Sequence, residues 1–334
     1  MRPSAADSRR VNSEMMIDSE NLAHGTDSGS GPGLRVTRLE SDTTAARQRL
    51  PEWLRIKLPV SDRFFQTRNL LQDLRLHTVC ESAKCPNHWE CWAKGTATFM
   101  IAGDHCTRAC KFCAVSTAKP LPLESDEPAR VAEATRRMKL KHVVITAVAR
   151  DDLPDGGAAH FRETINSVRA ANPGIVIEVL VPDFLDRDDS LEMVLSARPE
   201  IFNHNLETVR RLTPSVRSRA TYDRSLSVLA KAKRMGQSLY TKSGIMLGLG
   251  ETEEELFTAM QDLRTSNCDI LTLGQYLQPT REHLPVVDFV TPIKFSEYGV
   301  AARAMGFVHV ASGPMVRSSY HADEFEPLIN RSLG

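Results

Sequence analysis

Between positions 80 and 113 the chain carries six of its seven cysteines, in two triplets of different spacing. Cys80, Cys85 and Cys91 are separated by four and then five residues, and Cys106, Cys110 and Cys113 by three and then two. Three thiolates are a ligand set that leaves one iron of a four-iron cubane open to another ligand or to a substrate. Two triplets in tandem therefore point to two clusters with different tasks. The Cys106–Cys113 loop is short enough for three thiolates to grip three corners of one cubane. Arg108 and Lys111 would place positive charge beside that anionic cluster. A structural zinc site is the alternative, since zinc takes four ligands and His105 is available as a fourth. The first triplet does not have a common zinc spacing. Cys268 stands alone and reads as a small buried apolar residue.

Ligands of this kind need a frame. Strand-length apolar runs cover 96–102, 142–148, 175–181, 200–204, 240–247, 269–275 and 307–311. Helix-length periodic stretches lie between several of them, over 128–139, 158–171, 187–197, 222–235 and 252–265. Thr252 with Glu255 three residues on is a capping box, a helix start just after Gly250. Strand–helix alternation implies parallel strands joined by right-handed crossovers. The number of units suits a partial or full (β/α) barrel better than a small open sheet, with a doubly wound sheet as the competitor. In such barrels chemistry gathers at the C-terminal ends of the strands, and the second triplet follows directly on the first strand. A helix over 63–76, with Phe64, Phe65, Leu70, Leu71 and Leu74 on one face, precedes the first triplet. Pro86 and Asn87 mark an irregular loop within that triplet. No G-x-G-x-x-G follows the first strand and no P-loop motif occurs, so nucleotide-binding folds of those types have no support.

Bulk properties exclude other classes. The 334 residues are 41% hydrophobic, enough for a sizeable core, and Lys+Arg and Asp+Glu both total 42. That balance advertises neither nucleic acid nor an anionic membrane as a partner. No run of about twenty apolar residues suggests a membrane span. The N-terminus lacks a secretory pattern, and residues up to about 44 have the composition of a flexible tail. Asp7, Glu14, Asp18, Glu20 and Asp27 are out of place in a mitochondrial transit peptide. A reducing cytoplasm is the expected compartment, where clustered cysteines are metal ligands rather than disulfides.

The second triplet, with Phe112 before its last cysteine, resembles the radical SAM superfamily. That resemblance implies that the open iron binds S-adenosylmethionine through its amino and carboxylate groups, and that electron transfer then yields a 5′-deoxyadenosyl radical. The first triplet, taken with Arg317-Ser318-Ser319-Tyr320-His321-Ala322-Asp323, is similar to the lipoyl synthase family. Agreeing stretches include Arg150-Asp151-Asp152-Leu153-Pro154-Asp155-Gly156-Gly157, Phe202-Asn203-His204-Asn205-Leu206-Glu207-Thr208 and Thr241-Lys242-Ser243-Gly244. Gly248-Leu249-Gly250-Glu251-Thr252 and Gly274-Gln275-Tyr276-Leu277-Gln278-Pro279 agree as well, so the likeness runs from about Pro51 to Asp323.

The family implies an α/β fold, a partial (β/α) barrel of radical SAM type with N-terminal and C-terminal extensions that carry an auxiliary cluster. The expected division is a disordered tail over 1–49, an N-terminal extension over 50–94, the barrel over 95–312 and a C-terminal extension over 313–334. Two [4Fe–4S] clusters and S-adenosylmethionine are implied as cofactors. Cys80, Cys85 and Cys91 would hold the auxiliary cluster, with Ser319 on its fourth iron and Ser318 as the fallback. Serine oxygen is a harder ligand than thiolate and holds iron–sulfur iron less firmly. The implied reaction inserts two sulfur atoms at C6 and C8 of a protein-bound octanoyl-lysine, giving lipoyl-lysine, with the auxiliary cluster consumed as sulfur donor. Implied partners are octanoylated lipoyl domains of 2-oxoacid dehydrogenase E2 subunits, the glycine cleavage H protein, a flavodoxin or ferredoxin-type electron donor, and an iron–sulfur carrier for cluster repair.

Thr146, Glu178, Asn203 and Lys242 are the expected S-adenosylmethionine contacts, extended by Asn205 and Glu207, with Arg150 or Lys242 for the carboxylate. His204 and His321 lie inside matching motifs and either position substrate or serve the structure. Met246 and Leu247 read as core. Trp53, Arg55 and Lys57 either fold over the site or pack ordinarily. The chain departs from the usual family pattern at Ala149, at Leu185-Asp186 in place of Arg-Gly, and at Arg210 in place of proline. Two other readings stand beside the main one. They are another two-cluster radical enzyme that inserts sulfur or methylthio groups, and a zinc-stabilised binding protein without catalysis.

Overall fold

A computed structural model describes residues 49–55, 61–94, 96–236 and 238–319. The expectations for the tail, Lys57 and His321 fall outside the described residues.

Ten strands form. They are β1 (His77–Thr78), β2 (Thr98–Ile101), β3 (His105–Cys106), β4 (Ser116–Thr117), β5 (His142–Ala147), β6 (Val176–Leu180), β7 (Ile201–Asn203), β8 (Tyr240–Leu247), β9 (Ile270–Gln275) and β10 (His309–Ser312). Eight join one sheet in the order β1-β2-β5-β6-β7-β8-β9-β10, and β3 pairs with β4 separately. From β2 to β10 every pairing is parallel; β1 adds antiparallel at the edge, His77 opposite Met100. Each strand-length run of the sequence becomes a strand of this sheet. The parallel order with intervening helices is the partial barrel, not the small doubly wound sheet.

The helices are α1 (Asp62–Asp73), α2 (Val79–Ser82), α3 (His88–Ala93), α4 (Glu127–Met138), α5 (Ala158–Ala171), α6 (Asp188–Ser196), α7 (Thr213–Val216), α8 (Tyr222–Met235), α9 (Glu253–Thr265) and α10 (Pro292–Ala304). The Thr252–Glu255 capping box is present at α9. α10 escaped the sequence reading because Ile293 and Val300 face solvent, 72% and 59% exposed, which blurs its apolar period. Phe65 is likewise half exposed, so only Phe64 and Leu71 of the expected apolar face of α1 are fully buried. The loop expected around Pro86 is flanked closely by the short helices α2 and α3.

Alternation along the strands divides the sheet's two faces. Outward residues Val143, Ile145, Ile177, Val179 and Phe202 pack with Ile165, Val168, Leu191, Val194 and Val228 of the helices. Ile245, Leu247, Leu271 and Leu273 do the same with Leu256, Met260, Leu263 and Phe295. The alternate residues Val144, Val176, Ile201 and Ile270 form a separate apolar cluster on the inner face. Cys268 is fully buried in the outer layer, as its isolation suggested.

Candidate active site

The second triplet hangs from a constrained corner. Past β2 the chain turns through Ala102 (φ 66°) and Gly103 (φ 94°). Ala102 N–H donates to Glu127 Oε2 at 2.8 Å, His160 Nε2 meets the same oxygen at 2.6 Å, and Arg150 Nη1 donates to Ala102 O at 3.0 Å. A non-glycine residue is thus held in the left-handed region by charged groups on both its backbone atoms. The loop beyond is tied at several points. Ala109 N–H donates to Ser218 Oγ at 3.1 Å, Lys111 N–H to Val216 O at 2.9 Å, and His283 Nε2 lies 3.0 Å from Cys113 O.

The thiols are arranged for negative charge. Cys106 Sγ accepts N–H groups from Arg108 and Ala149, both at 3.4 Å. Burial, helped by neighbouring cysteines of the triplet, pushes the Cys106 thiol up and the Cys113 thiol up to about 12. An isolated buried thiolate would be costly here, so this donor set suits a cationic metal centre. Among the described residues no three His, Cys, Asp or Glu groups converge around one ion position. Cubane ligands need not converge, because each thiolate takes its own iron.

Arg108 does not serve as a free charge beside a cluster, as its position suggested. Its Nε and Nη2 bond both oxygens of Asp151 at 2.8 and 2.7 Å, and Nη2 reaches Asp183 Oδ1 at 2.6 Å. Two carboxylates consume its charge and anchor the loop to the ends of β5 and β6. Asp183 and Ser218 were missed as site residues; the only sequence signal was their place just beyond a strand end and just before a helix.

The inner face holds a polar group. Lys242 Nζ donates to Glu178 Oε1 and Oε2 at 2.9 and 3.1 Å, Asn203 Nδ2 donates to Glu178 Oε1 at 3.0 Å, and His142 Nε2 lies 3.4 Å from Glu178 Oε2. Burial alone would raise the Glu178 pKa, but Lys242 and His142 outweigh it and hold the carboxyl below its ordinary range. Thr146 Oγ1 donates to Leu180 O at 2.8 Å. The structure thus brings Glu178, Asn203 and Lys242 into one network, with Thr146 on the neighbouring strand. Asn203 Oδ1 and Asn205 Oδ1 are buried without a hydrogen-bond partner among the described residues. Glu207, at φ 71°, is half-buried beyond β7, and burial pushes its carboxyl up. Arg150 sits on Asp152 and Ala102 O. His204 spends Nδ1 on Val181 O and Nε2 on Ser225 Oγ, so its role is structural. Leu247 is core, as expected, and Met246 packs partly buried beside Phe112.

The first triplet is carried by the extension. Cys80 lies in α2 and Cys91 in α3, with Cys85 between them. Phe64 of α1 stacks on Trp89 at 4.6 Å and packs on Trp92, fixing α3. Burial, with a smaller contribution from Cys85, pushes Cys80 and Cys91 up to about 12. Over this triplet passes the segment that follows β10. Gln275 N–H donates to Pro314 O at 3.3 Å, and Asn87 Nδ2 donates to Met315 O at 2.7 Å. A Cβ at Gly274 would stand 2.0 Å from Val316 O, so only glycine lets the strap lie this close. Arg317 carries charge close enough to Cys85 to offset part of that thiol's burial. The two serines diverge. Ser318 Oγ accepts from Asn205 Nδ2 at 3.2 Å, whereas Ser319 Oγ accepts from Thr98 Oγ1 at 2.9 Å.

Comparison with known proteins agrees with this geometry. Residues 100–263 match the radical SAM superfamily, and residues 35–85 match the N-terminal domain of lipoyl synthase. Among solved structures, methylornithine synthase superposes with a TM-score of 0.50 at 15% identity, covering 75% of each chain. That likeness concerns the fold. A parallel barrel with a three-cysteine loop after its first strand defines a radical SAM enzyme.

The lipoyl synthase of Shouchella clausii (strain KSM-K16) is 55% identical over 286 residues, covering 85% of this chain and 93% of that protein. That of Geobacillus sp. (strain WCH70) is 56% identical over 283 residues, covering 84% and 95%. This chain belongs to the lipoyl synthase family. It is a sulfur-inserting radical SAM enzyme, and membership brings with it a [4Fe–4S] cluster, S-adenosylmethionine, an octanoylated protein substrate and a redox partner. Among the described residues no helix is long and apolar enough to cross a membrane.

Proposed function

We propose that this enzyme inserts two sulfur atoms, at C6 and C8 of a lysine-bound octanoyl chain, and that its two cysteine triplets divide the work. Cys106, Cys110 and Cys113 hold the cluster that, with S-adenosylmethionine, supplies the hydrogen-abstracting radical, and Cys80, Cys85, Cys91 and Ser319 hold the one that supplies sulfur. The observation that carries this reading is the strap. Ser318 is bonded to Asn205 near the strand ends, and its neighbour Ser319 to Thr98 beside the first triplet. One short segment therefore touches both places.

The residues have separable tasks. Arg108, Asp151 and Asp183 fix the second loop, and N–H groups of Arg108 and Ala149 stabilise negative charge on Cys106. S-adenosylmethionine lies over the inner strand ends, where Asn203 and Asn205 offer unpartnered oxygens. Glu178 and Lys242 neutralise each other beneath and orient Asn203, with Thr146 alongside. Seating substrate between the triplets, away from water, limits side reactions. The division of labour follows 50–94 for the auxiliary site, 95–312 for the barrel and 313–334 for the C-terminal extension, of which 313–319 is the described strap. Lipoyl domains of 2-oxoacid dehydrogenase E2 subunits and glycine cleavage H protein are the carriers, with a flavodoxin or ferredoxin-type donor and an iron–sulfur carrier in a reducing cytoplasm.

Anaerobic single turnover with an octanoylated carrier peptide, reductant and S-adenosylmethionine, followed by mass spectrometry, tests the reading. Doubly thiolated peptide is expected, from protein that carries about eight irons and eight sulfides. Stoichiometric zinc without sulfide would overturn it.

A further inference from the structure

We infer that Thr98 is the positioning residue that presents Ser319, and not Ser318, to the site formed by Cys80, Cys85 and Cys91. The inference rests on the ligand role proposed for Ser319 and goes on to say what selects it.

Two adjacent serines of equal chemistry need something to tell them apart. The strap is already fixed up to Met315 by Asn87 and at Val316 by its close passage over Gly274. Beyond that point each hydroxyl has its own partner. Asn205, which follows β7, takes Ser318 toward the strand ends. Thr98, the first residue of β2 and 5% exposed, takes Ser319 at 2.9 Å. Thr98 is itself held within the sheet, since it pairs with Val144 on one side and its neighbour Phe99 pairs with Thr78 on the other. Thr78 in turn caps α2, the helix that carries Cys80. One buried threonine therefore bonds the far serine and lies in the strand that pairs with the residue capping the helix of Cys80. A stiff β-branched side chain is suited to this, because its hydroxyl has few orientations to lose.

The test uses the Cys106→Ala/Cys110→Ala/Cys113→Ala variant, so that only the first-triplet cluster is seen. Three thiolates make the fourth iron distinct with or without the serine, so iron-57 Mössbauer spectra read the parameters of that iron and a chelator reads how fast it leaves. Thr98→Val keeps the shape and removes the hydroxyl. It is expected to shift the fourth iron's parameters as Ser319→Ala does, with release about tenfold or more faster, as for other outer-shell partners. Thr98→Ser should restore both readings. The Thr98→Val/Ser319→Ala pair should match either single variant, while Thr98→Val/Ser318→Ala should also match Thr98→Val. Thr98→Ala, checked for an unchanged thermal midpoint, must repeat the valine result. Fourth-iron parameters unchanged in Thr98→Val or Thr98→Ala but shifted in Ser319→Ala would overturn the role of Thr98 and leave the ligand reading standing. Fourth-iron parameters unchanged in Ser319→Ala would remove the ligand reading itself, and this inference with it.

Discussion

Arg108 and Asp183 lie 75 positions apart in the chain and meet at 2.6 Å in the interior, both buried. The arginine sits between two cysteines of the second triplet, and the aspartate ends the turn beyond β6. Their bond, with the Arg108–Asp151 fork, converts a short exposed-looking loop into a fixed part of the barrel. Removing one partner of such a pair leaves a buried charge without its counter-ion. Arg108→Met should therefore cost about 3 kcal/mol in chemical denaturation of the apoprotein. It should also lower iron loading at the second triplet while sparing the first, measured as iron per chain in triplet-specific variants.

The same pair sets a pH dependence. Burial alone would raise the Asp183 pKa, but bonds and charge from Arg108 hold it down at about 2, below the ordinary aspartate value of 3.8. A depressed folded-state pKa contributes stability that is complete above the unfolded value and is lost as pH falls through the folded one. The loss should fall between about pH 4 and pH 2, and amount to about 2 kcal/mol for this group. Denaturant midpoints of the apoprotein across that range should show it, and Asp183→Asn should flatten that part of the curve.

Gly274 tests the strap. A methyl group there would meet Val316 O at 2.0 Å, so Gly274→Ala must displace the segment that carries Ser318 and Ser319. Sulfur insertion should fall by tenfold or more, about 1.4 kcal/mol on the barrier. S-adenosylmethionine cleavage without substrate should be nearly unchanged. Assaying deoxyadenosine and thiolated peptide in the same reaction separates the two.

Much of this was legible in the sequence, for identifiable reasons. The parallel strands are buried on both faces, and buried strands read as continuous apolar runs, as at Val143, Val144 and Ile145. The cysteine spacings and the Thr252–Glu255 box are local patterns, so they survive without a structure. What stayed hidden depends on contacts between distant segments. Nothing near Arg108 announces that Asp183 will take its charge, and nothing near Ser319 announces Thr98, 221 positions away. His204 illustrates the opposite case. It lies inside a motif, yet both ring nitrogens are spent on Val181 and Ser225.

The buried Lys242–Glu178 pair gives a further expectation. Both side chains are fully buried, and Asn203 shares the same carboxylate. Lys242→Met should destabilise the apoprotein by about 3 kcal/mol because Glu178 is left charged in the interior. The double variant Lys242→Met/Glu178→Met should recover most of that loss. S-adenosylmethionine affinity should fall in the double variant, because Asn203 loses the Glu178 oxygen it bonds, and equilibrium binding to the cluster-loaded protein would read this.

The central claim is that sulfur leaves the site of Cys80, Cys85 and Cys91, and its most direct measurement is isotopic. Enzyme whose sulfide has been replaced by a heavy isotope is given octanoylated peptide and S-adenosylmethionine for one turnover. Both sulfur atoms of the product should be heavy, and Cys85→Ala should yield deoxyadenosine without thiolated peptide. Product carrying light sulfur, or thiolation that persists in Cys85→Ala, would contradict the account.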